Sequence, residues 1–212
     1  MNVSRILAVA IFTSACGDAV ATQRATPPAT AAEVAVQEGE RKTSTDPAVN
    51  RDAAVMAEFK ARVEKYADLH KQLAKGAAAQ KETSDPAQID AAKTALAAKI
   101  QAARAGAKQG DIFTPAIRPV FRRLLAPELK GEEGRDAKAV IKDDAPAPGS
   151  VPFKVNATFP EDQPLPSVPA NLLLTLPSLP APLEYRIVGQ HLLLLDTAAD
   201  VIVDYILNAI TT

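Results

Sequence analysis

Ten prolines fall within residues 146–182. Proline has no N–H to give to a ladder, and its ring blocks the preceding helical turn. Neither a long helix nor a central strand runs through such a stretch, so it divides the chain into an N-terminal part and a C-terminal part. Yet Leu172, Leu173, Leu174 and Leu176 lie inside it, and a segment left in solvent gains nothing from so many leucines. Residues 145–182 therefore read as a Pro-rich extended segment packed across a domain surface. Within it, Phe153-Lys154-Val155-Asn156-Ala157-Thr158-Phe159 alternates and suits an edge strand.

After Pro182 there are no prolines. Leu183, Tyr185 and Ile187 alternate with Glu184 and Arg186, and Gly189-Gln190 suits a turn. An apolar run from Leu192 to Leu195, a short loop over 196–200, and Val201-Ile202-Val203 with Tyr205-Ile206 complete the pattern. Residues 183–212 are expected to form a small C-terminal antiparallel β-meander of three strands. Such a sheet buries little alone. Leu192, Leu194, Val201 and Val203 should therefore pack on residues 172–179 and on a helix beyond them. Asp196, Asp200 and Asp204, four residues apart, read as turn formers and outward-facing charges.

Residues 46–144 read as helical. Asp46-Pro47 is an N-cap followed by a favoured first helical residue. Met56, Phe59, Val63, Tyr66, Leu69 and Leu73 then recur at spacings of 3, 4, 3, 3 and 4, which is one helical face. Gly76 suits its end. Asp85-Pro86 repeats the start signal, with Ile89, Ala92, Leu96, Ile100 and Ala103 lining a second, Ala-rich face. The two should form an antiparallel hairpin with Phe59, Val63 and Tyr66 facing Leu96 and Ile100. Left exposed, Met56, Phe59, Val63 and Tyr66 would instead be an interaction face for a protein partner. Thr114-Pro115 opens a third, short helix carrying Ile117, Val120, Phe121, Leu124 and Leu125, and a weaker fourth spans 133–142. Arg118, Arg122 and Arg123 read as a solvated face. The fold class is α+β: a helical hairpin plus short helices, the Pro-rich segment, and the meander.

The first residues look like an address. Residues 1–5 carry one positive charge and residues 6–12 are all apolar, followed by Thr13-Ser14-Ala15-Cys16. A short positive region, a short apolar core and small residues make a secretory signal peptide. Two processing sites compete. Ser14-Ala15-Cys16-Gly17 resembles the lipobox of bacterial lipoproteins, with Thr13 where that family prefers Leu; it implies a signal of residues 1–15 and lipidation of Cys16. Ala19-Val20-Ala21 fits ordinary signal removal and implies 1–21. Residues 16–45, rich in Ala, Thr, Pro and charges, read as a disordered tether. The expected location is the periplasm or outer membrane, through a lipid in the membrane, with a soluble secreted protein as the alternative.

Chemistry is sparse. With 24 Lys+Arg against 25 Asp+Glu, the chain lacks the basic excess of a nucleic-acid partner. One Cys in 212 residues makes no internal disulfide and no Cys-based zinc site. No Gly-rich phosphate loop and no G-x-S-x-G elbow occur. His70 and His191 are far apart and read as structural or exposed, so no metal and no cofactor is expected. A Ser/His/Asp triad needs no sequence proximity, which leaves a cryptic hydrolase as an alternative to the non-enzymatic reading.

Ile112-Phe113-Thr114-Pro115, Arg122-Arg123-Leu124-Leu125 and Leu183-Glu184-Tyr185-Arg186-Ile187-Val188-Gly189 together resemble a family of uncharacterised exported bacterial proteins, which implies export but no activity. Gly189, Leu192, Leu194, Asp196 and Ile202-Val203-Asp204 are similar to the closing strands of small periplasmic proteins of the nickel/cobalt-homeostasis type. That likeness implies a small-ligand or metal-related binding role. It departs at Ala199-Asp200, where a Gly is usual, and in an aromatic run reduced to Tyr185.

Overall fold

The structure is a computed structural model and describes residues 47–75 and 84–210. The signal region, Cys16, the tether and Gly76 lie outside the described residues. The elements are α1 (Pro47–Lys75), α2 (Pro86–Ala103), α3 (Ile117–Glu128), α4 (Gly131–Asp143), α5 (Ala170–Thr175), β1 (Leu183–Val188), β2 (His191–Asp196) and β3 (Val201–Ile206). The class is α+β, with one antiparallel sheet of order β1-β2-β3. Among the described residues, no helix is long and apolar enough to cross a membrane.

The helix starts have local causes. The Asp85 carboxylate accepts the Ala87 N–H at 3.0 Å and Pro86 stands at the first helical position. The expected Thr114 side-chain cap is not made: Ala116 is the N-cap of α3. Thr114 contributes only its carbonyl, to Ile117 N and Arg118 N, while its hydroxyl is buried without a partner. The fourth helix is longer than its sequence signal, beginning at Gly131 with φ +69°. Gly134 then lies so close to the α3–α4 corner that a Cβ would stand 2.2 Å from the Leu129 carbonyl carbon.

The sheet is covered on both faces. Leu192, Leu194, Val201 and Val203 share one core with Phe59, Val63, Tyr66, Leu96, Ile100, Phe121, Leu172 and Leu176. As expected, residues 172–176 and α3 cover this face, and α1 and α2 join them. Phe59, Phe113 and Phe121 form an aromatic cluster here, with centroids 4.8–5.7 Å apart. On the opposite face, Leu193, Leu195, Ile202 and Tyr205 pack against Val151, Val155 and Phe159 of the Pro-rich segment. Two covered faces explain why Leu192 to Leu195 is a continuous apolar run, since a half-exposed strand would alternate.

Residues 153–159 are not the edge strand expected. They run beside β3 through Asn156 N to Ile202 O (2.9 Å), Ile202 N to Ala157 O (2.9 Å) and Phe159 N to Asp200 O (2.7 Å), with one bridge at Thr158 and Val201. Asn156 takes φ +65°, which turns the chain before a regular ladder can form. The six residues of α5 occupy the proline-free window between Pro169 and Pro177.

Candidate functional site

The groups with chemical potential gather where α1 and the α2–α3 loop meet the sheet. Tyr66 and His70 are four residues apart on α1 and so share a face. The Tyr66 hydroxyl donates to Asp196 Oδ2 at 2.7 Å, and His70 Nδ1 lies 2.6 Å from the same oxygen. The other carboxylate oxygen, Oδ1, accepts from Ala198 N at 3.1 Å. Asp196 is fully buried, so the outward-facing charge read from the sequence is corrected. An ionised carboxylate only accepts, which puts the His70 proton on Nδ1. Burial, then the Asp196 charge, push the Tyr66 hydroxyl well above the usual tyrosine range, so it remains a donor. Among the described residues no group hydrogen-bonds His70 Nε2.

Asp204 is also fully buried, a second correction. A bulge places Leu194 opposite Asp204 and Leu195 opposite Ile202, leaving Val203 as the extra residue. The bulge turns both Val203 and Asp204 toward the helices. Asp204 Oδ2 accepts from Ile112 N (2.9 Å) and Phe113 N (2.8 Å), Oδ1 from Tyr205 N (2.8 Å), and both oxygens from Gly110 N. Gly110 has φ +96° and touches Arg118, where a Cβ would stand 2.5 Å from the guanidinium. Converging N–H groups of this kind make an anion nest, and here the anion is the protein's own side chain.

Arg104 links the two carboxylate sites. Its guanidinium lies 5.0 Å from the Tyr66 ring centre and donates to Asn156 Oδ1 (2.9 Å) and Val203 O (3.0 Å). Burial lowers its pKa, opposed by Tyr66 and then by Asp204, Asp111 and Asp196, and a guanidinium stays charged regardless. Asn156 returns the contact by donating to Arg104 O at 2.5 Å.

Arg122 and Arg123 of α3 are exposed, as expected, and Arg118 is half-buried; all three also make contacts. Arg118 donates to Phe113 O, Arg122 to Leu207 O and Asn208 O, and Arg123 pairs with Asp52 of α1 at 2.6 Å. Asp200, with φ +47°, holds Lys93 of α2 at 2.6 Å across the β2–β3 turn. His191 opens β2 as expected. Its Nδ1 accepts the Asn208 N–H at 3.0 Å and its ring meets Phe153 edge-on at 4.5 Å. Among the described residues no group of three His, Cys, Asp or Glu side chains is placed to hold a metal.

The expected interaction face is corrected in part. Phe59, Val63 and Tyr66 are buried, because the same stripe that meets Leu96 and Ile100 also meets the sheet. Met56 remains half-buried. Two grooves run beside α1. One, of ≈ 610 Å³, has Phe59 and Val63 in its floor and Met56, Pro177, Leu179 and Pro180 in its walls, with Lys60 and Glu64 on its rim. The other, of ≈ 880 Å³, is more polar and is lined by Arg62, Lys65, Tyr66, Arg104 and Asp111 among others.

Nothing in the sequence pointed to Arg104, or to Asp204 and Asn156 as its neighbours, and His70 stood apart from its carboxylate. One signal was present for His70: it continues the buried spacing Phe59, Val63, Tyr66 by four residues. No protein-family model, no curated protein and no solved structure gives a significant match to this chain.

Proposed function

We propose that this chain is an exported periplasmic protein, anchored by a lipid on Cys16, whose folded part is a non-catalytic module for structural or protein-interaction work. The observation that carries the reading is the ≈ 610 Å³ apolar groove along α1, floored by Phe59 and Val63 and walled by Met56, Leu179 and two prolines. Grooves of this kind take apolar side chains from a partner, with polar rim groups fixing orientation. The buried polar groups support the same reading. Tyr66, His70 and Asp196 tie α1 to β2, and Asp204 ties the α2–α3 loop to β3. The apolar residues 6–12 before Ser14-Ala15-Cys16 support the anchor, as does the likeness to exported bacterial proteins.

Two measurements test this. Mass spectrometry of the mature N-terminus in the natural host is expected to find Cys16 acylated; an intact Met1 there ends the exported reading. A photo-reactive residue at Ala57, exposed on the groove, is expected to cross-link a protein segment. A groove that captures nothing removes the interaction reading.

A second reading, a cryptic hydrolase, draws on His70 alone. A histidine oriented by a buried carboxylate, with no partner on its far nitrogen among the described residues, is two thirds of a nucleophilic triad. Ester and amide hydrolysis abolished by His70→Gln in a folded protein would establish it; no hydrolysis by the wild type dismisses it.

A further inference from the structure

Residues 163–183 contain no Lys, Arg, Asp, Glu or His. In a chain that is 23% charged, this is the longest charge-free run, and six of its residues are prolines. Its exposed residues are Pro, Leu, Ala and Ser alone. Leu174 of α5 is 86% exposed and Leu173 49% exposed, while Leu172 and Leu176 are buried. The buried pair holds α5 down, so the other two leucines project from a fixed tip. Polar groups at this tip are already satisfied. Thr175 Oγ1 donates to Leu172 O at 2.8 Å and Asn171 Nδ2 to Glu128 O at 3.0 Å. Leu173 N donates to Pro169 O at 3.0 Å and Leu176 N to Leu173 O at 3.2 Å. The flanking prolines have no N–H to strip of water.

We infer that this tip enters the interfacial layer of a lipid bilayer, with Leu173 and Leu174 seated among the upper acyl chains. The inference rests on the proposed membrane anchor, which brings a bilayer within reach: residues 17–46 lie between Cys16 and α1 and span at most about 110 Å. Chemistry selects this occupant. Acyl chains offer no hydrogen bond, so a surface that enters them must need none, and α5 with its flanking prolines meets that demand. Charged side chains are the costly ones at such depth, and the run has none. A protein interface has a different composition, with aromatic or Arg anchors at its centre and a polar rim; this tip shows only Leu, Pro, Ala and Ser. Two leucines make a weak and reversible contact, since even a single myristoyl chain is a marginal anchor. The tip therefore orients a domain that the lipid on Cys16 already holds at the membrane, and does not recruit one alone.

The chain has no Trp, so Leu174→Trp sets a lone fluorescent reporter at the tip, and its melting curve should match the wild type. The chain beginning at Cys16 is coupled through that single Cys to a maleimide lipid in phosphatidylcholine vesicles. Ile89→Trp on α2 is the comparison, since Ile89 is 47% exposed but stands next to Asp90. On vesicles the position-174 reporter is expected to shift to the blue. Lipids brominated high in the acyl chain, within about 5–10 Å of the interface, should quench it at least about threefold more than the position-89 reporter. Quenching should not change between low and high salt, and adding Leu173→Asp should lower it at least about threefold. Equal quenching at the two positions overturns the inference, as does quenching that salt abolishes. A blue shift that grows with protein concentration before vesicles are added also overturns it, because a second copy then covers the tip. Quenching at position 174 with an unacylated Cys16 in the natural host upholds the tip and removes the anchor. An acylated Cys16 with no such quenching does the reverse.

Discussion

Replacing Asp204 by Asn alters one atom at the centre of the fold. The carboxylate collects the N–H groups of Gly110, Ile112, Phe113 and Tyr205 at 2.8–3.1 Å. Asn keeps the shape but has one acceptor oxygen, and its NH₂ must face N–H groups on the other side. The better rotamer keeps the oxygen toward Ile112 and Phe113 and sets the NH₂ against Tyr205 N, donor against donor, while Gly110 N retains only its 3.1 Å contact to that oxygen. Three effects compete. Bonds to a charged acceptor are worth about 1.5–3 kcal/mol against about 1 for a neutral one, and a buried donor left unsatisfied costs about 1–3 kcal/mol. Against these, Asn relieves the cost of burying a charge. The buried N–H groups remain after the charge is gone, so the loss wins, and we expect a destabilisation of about 3–5 kcal/mol. For a domain of this size that lowers Tm by roughly 6–20 °C. Urea unfolding monitored by circular dichroism should show a lower midpoint with an unchanged slope. Hydrogen exchange at Ile112 and Phe113 should lose protection first. A variant within about 0.5 kcal/mol of wild type, typical of a surface site, would refute the nest as a structural tie.

Other outcomes rest on single contacts. Gly134→Ala must displace the Leu129 backbone, since its Cβ would stand 2.2 Å from a carbonyl carbon; we expect a loss of about 2 kcal/mol or more in a urea titration. Burial holds the His191 pKa below its ordinary value, and its Nδ1 is already occupied as an acceptor for Asn208 N–H. The unfolded chain therefore takes up the proton first. This contribution to stability is fully present above about pH 6.5 and is lost as pH falls through that value toward the folded pKa. His191→Gln should remove that part of the slope of Tm between pH 7 and pH 5.

The α+β class, the helix at Pro47–Lys75, the N-cap at Asp85 and the three strands were legible because each rests on local rules: cap residues, periodicity and proline spacing. The buried carboxylates were not. Asp196 and Asp204 sit beside Thr197 and Tyr205 in stretches that also suit a turn or a strand edge. Their burial depends on donors 90 to 130 residues away in sequence. Arg122 and Arg123 are exposed as expected, but their contacts were silent for the same reason, since the backbone carbonyls at Leu207 and Asn208 that receive Arg122 leave no mark on composition. The bulge at Val203 was equally silent, although it decides which way Asp204 faces. The stripe at Phe59, Val63 and Tyr66 was legible as apolar, but whether it met the chain's own sheet or a partner depended on how far the Pro-rich segment carried the meander back toward α1.

The buried polar groups fasten the N-terminal helices to the C-terminal sheet. A double-mutant cycle on Tyr66→Phe and Asp196→Asn measures that fastening, because Tyr66 lies on α1, Asp196 ends β2, and their contact is buried at 2.7 Å. A coupling energy of about 1–3 kcal/mol between the two substitutions is expected in urea unfolding. Losses that add to within about 0.5 kcal/mol would mean the two side chains do not share the interaction, and would contradict the claim that α1 is held to the sheet through this carboxylate.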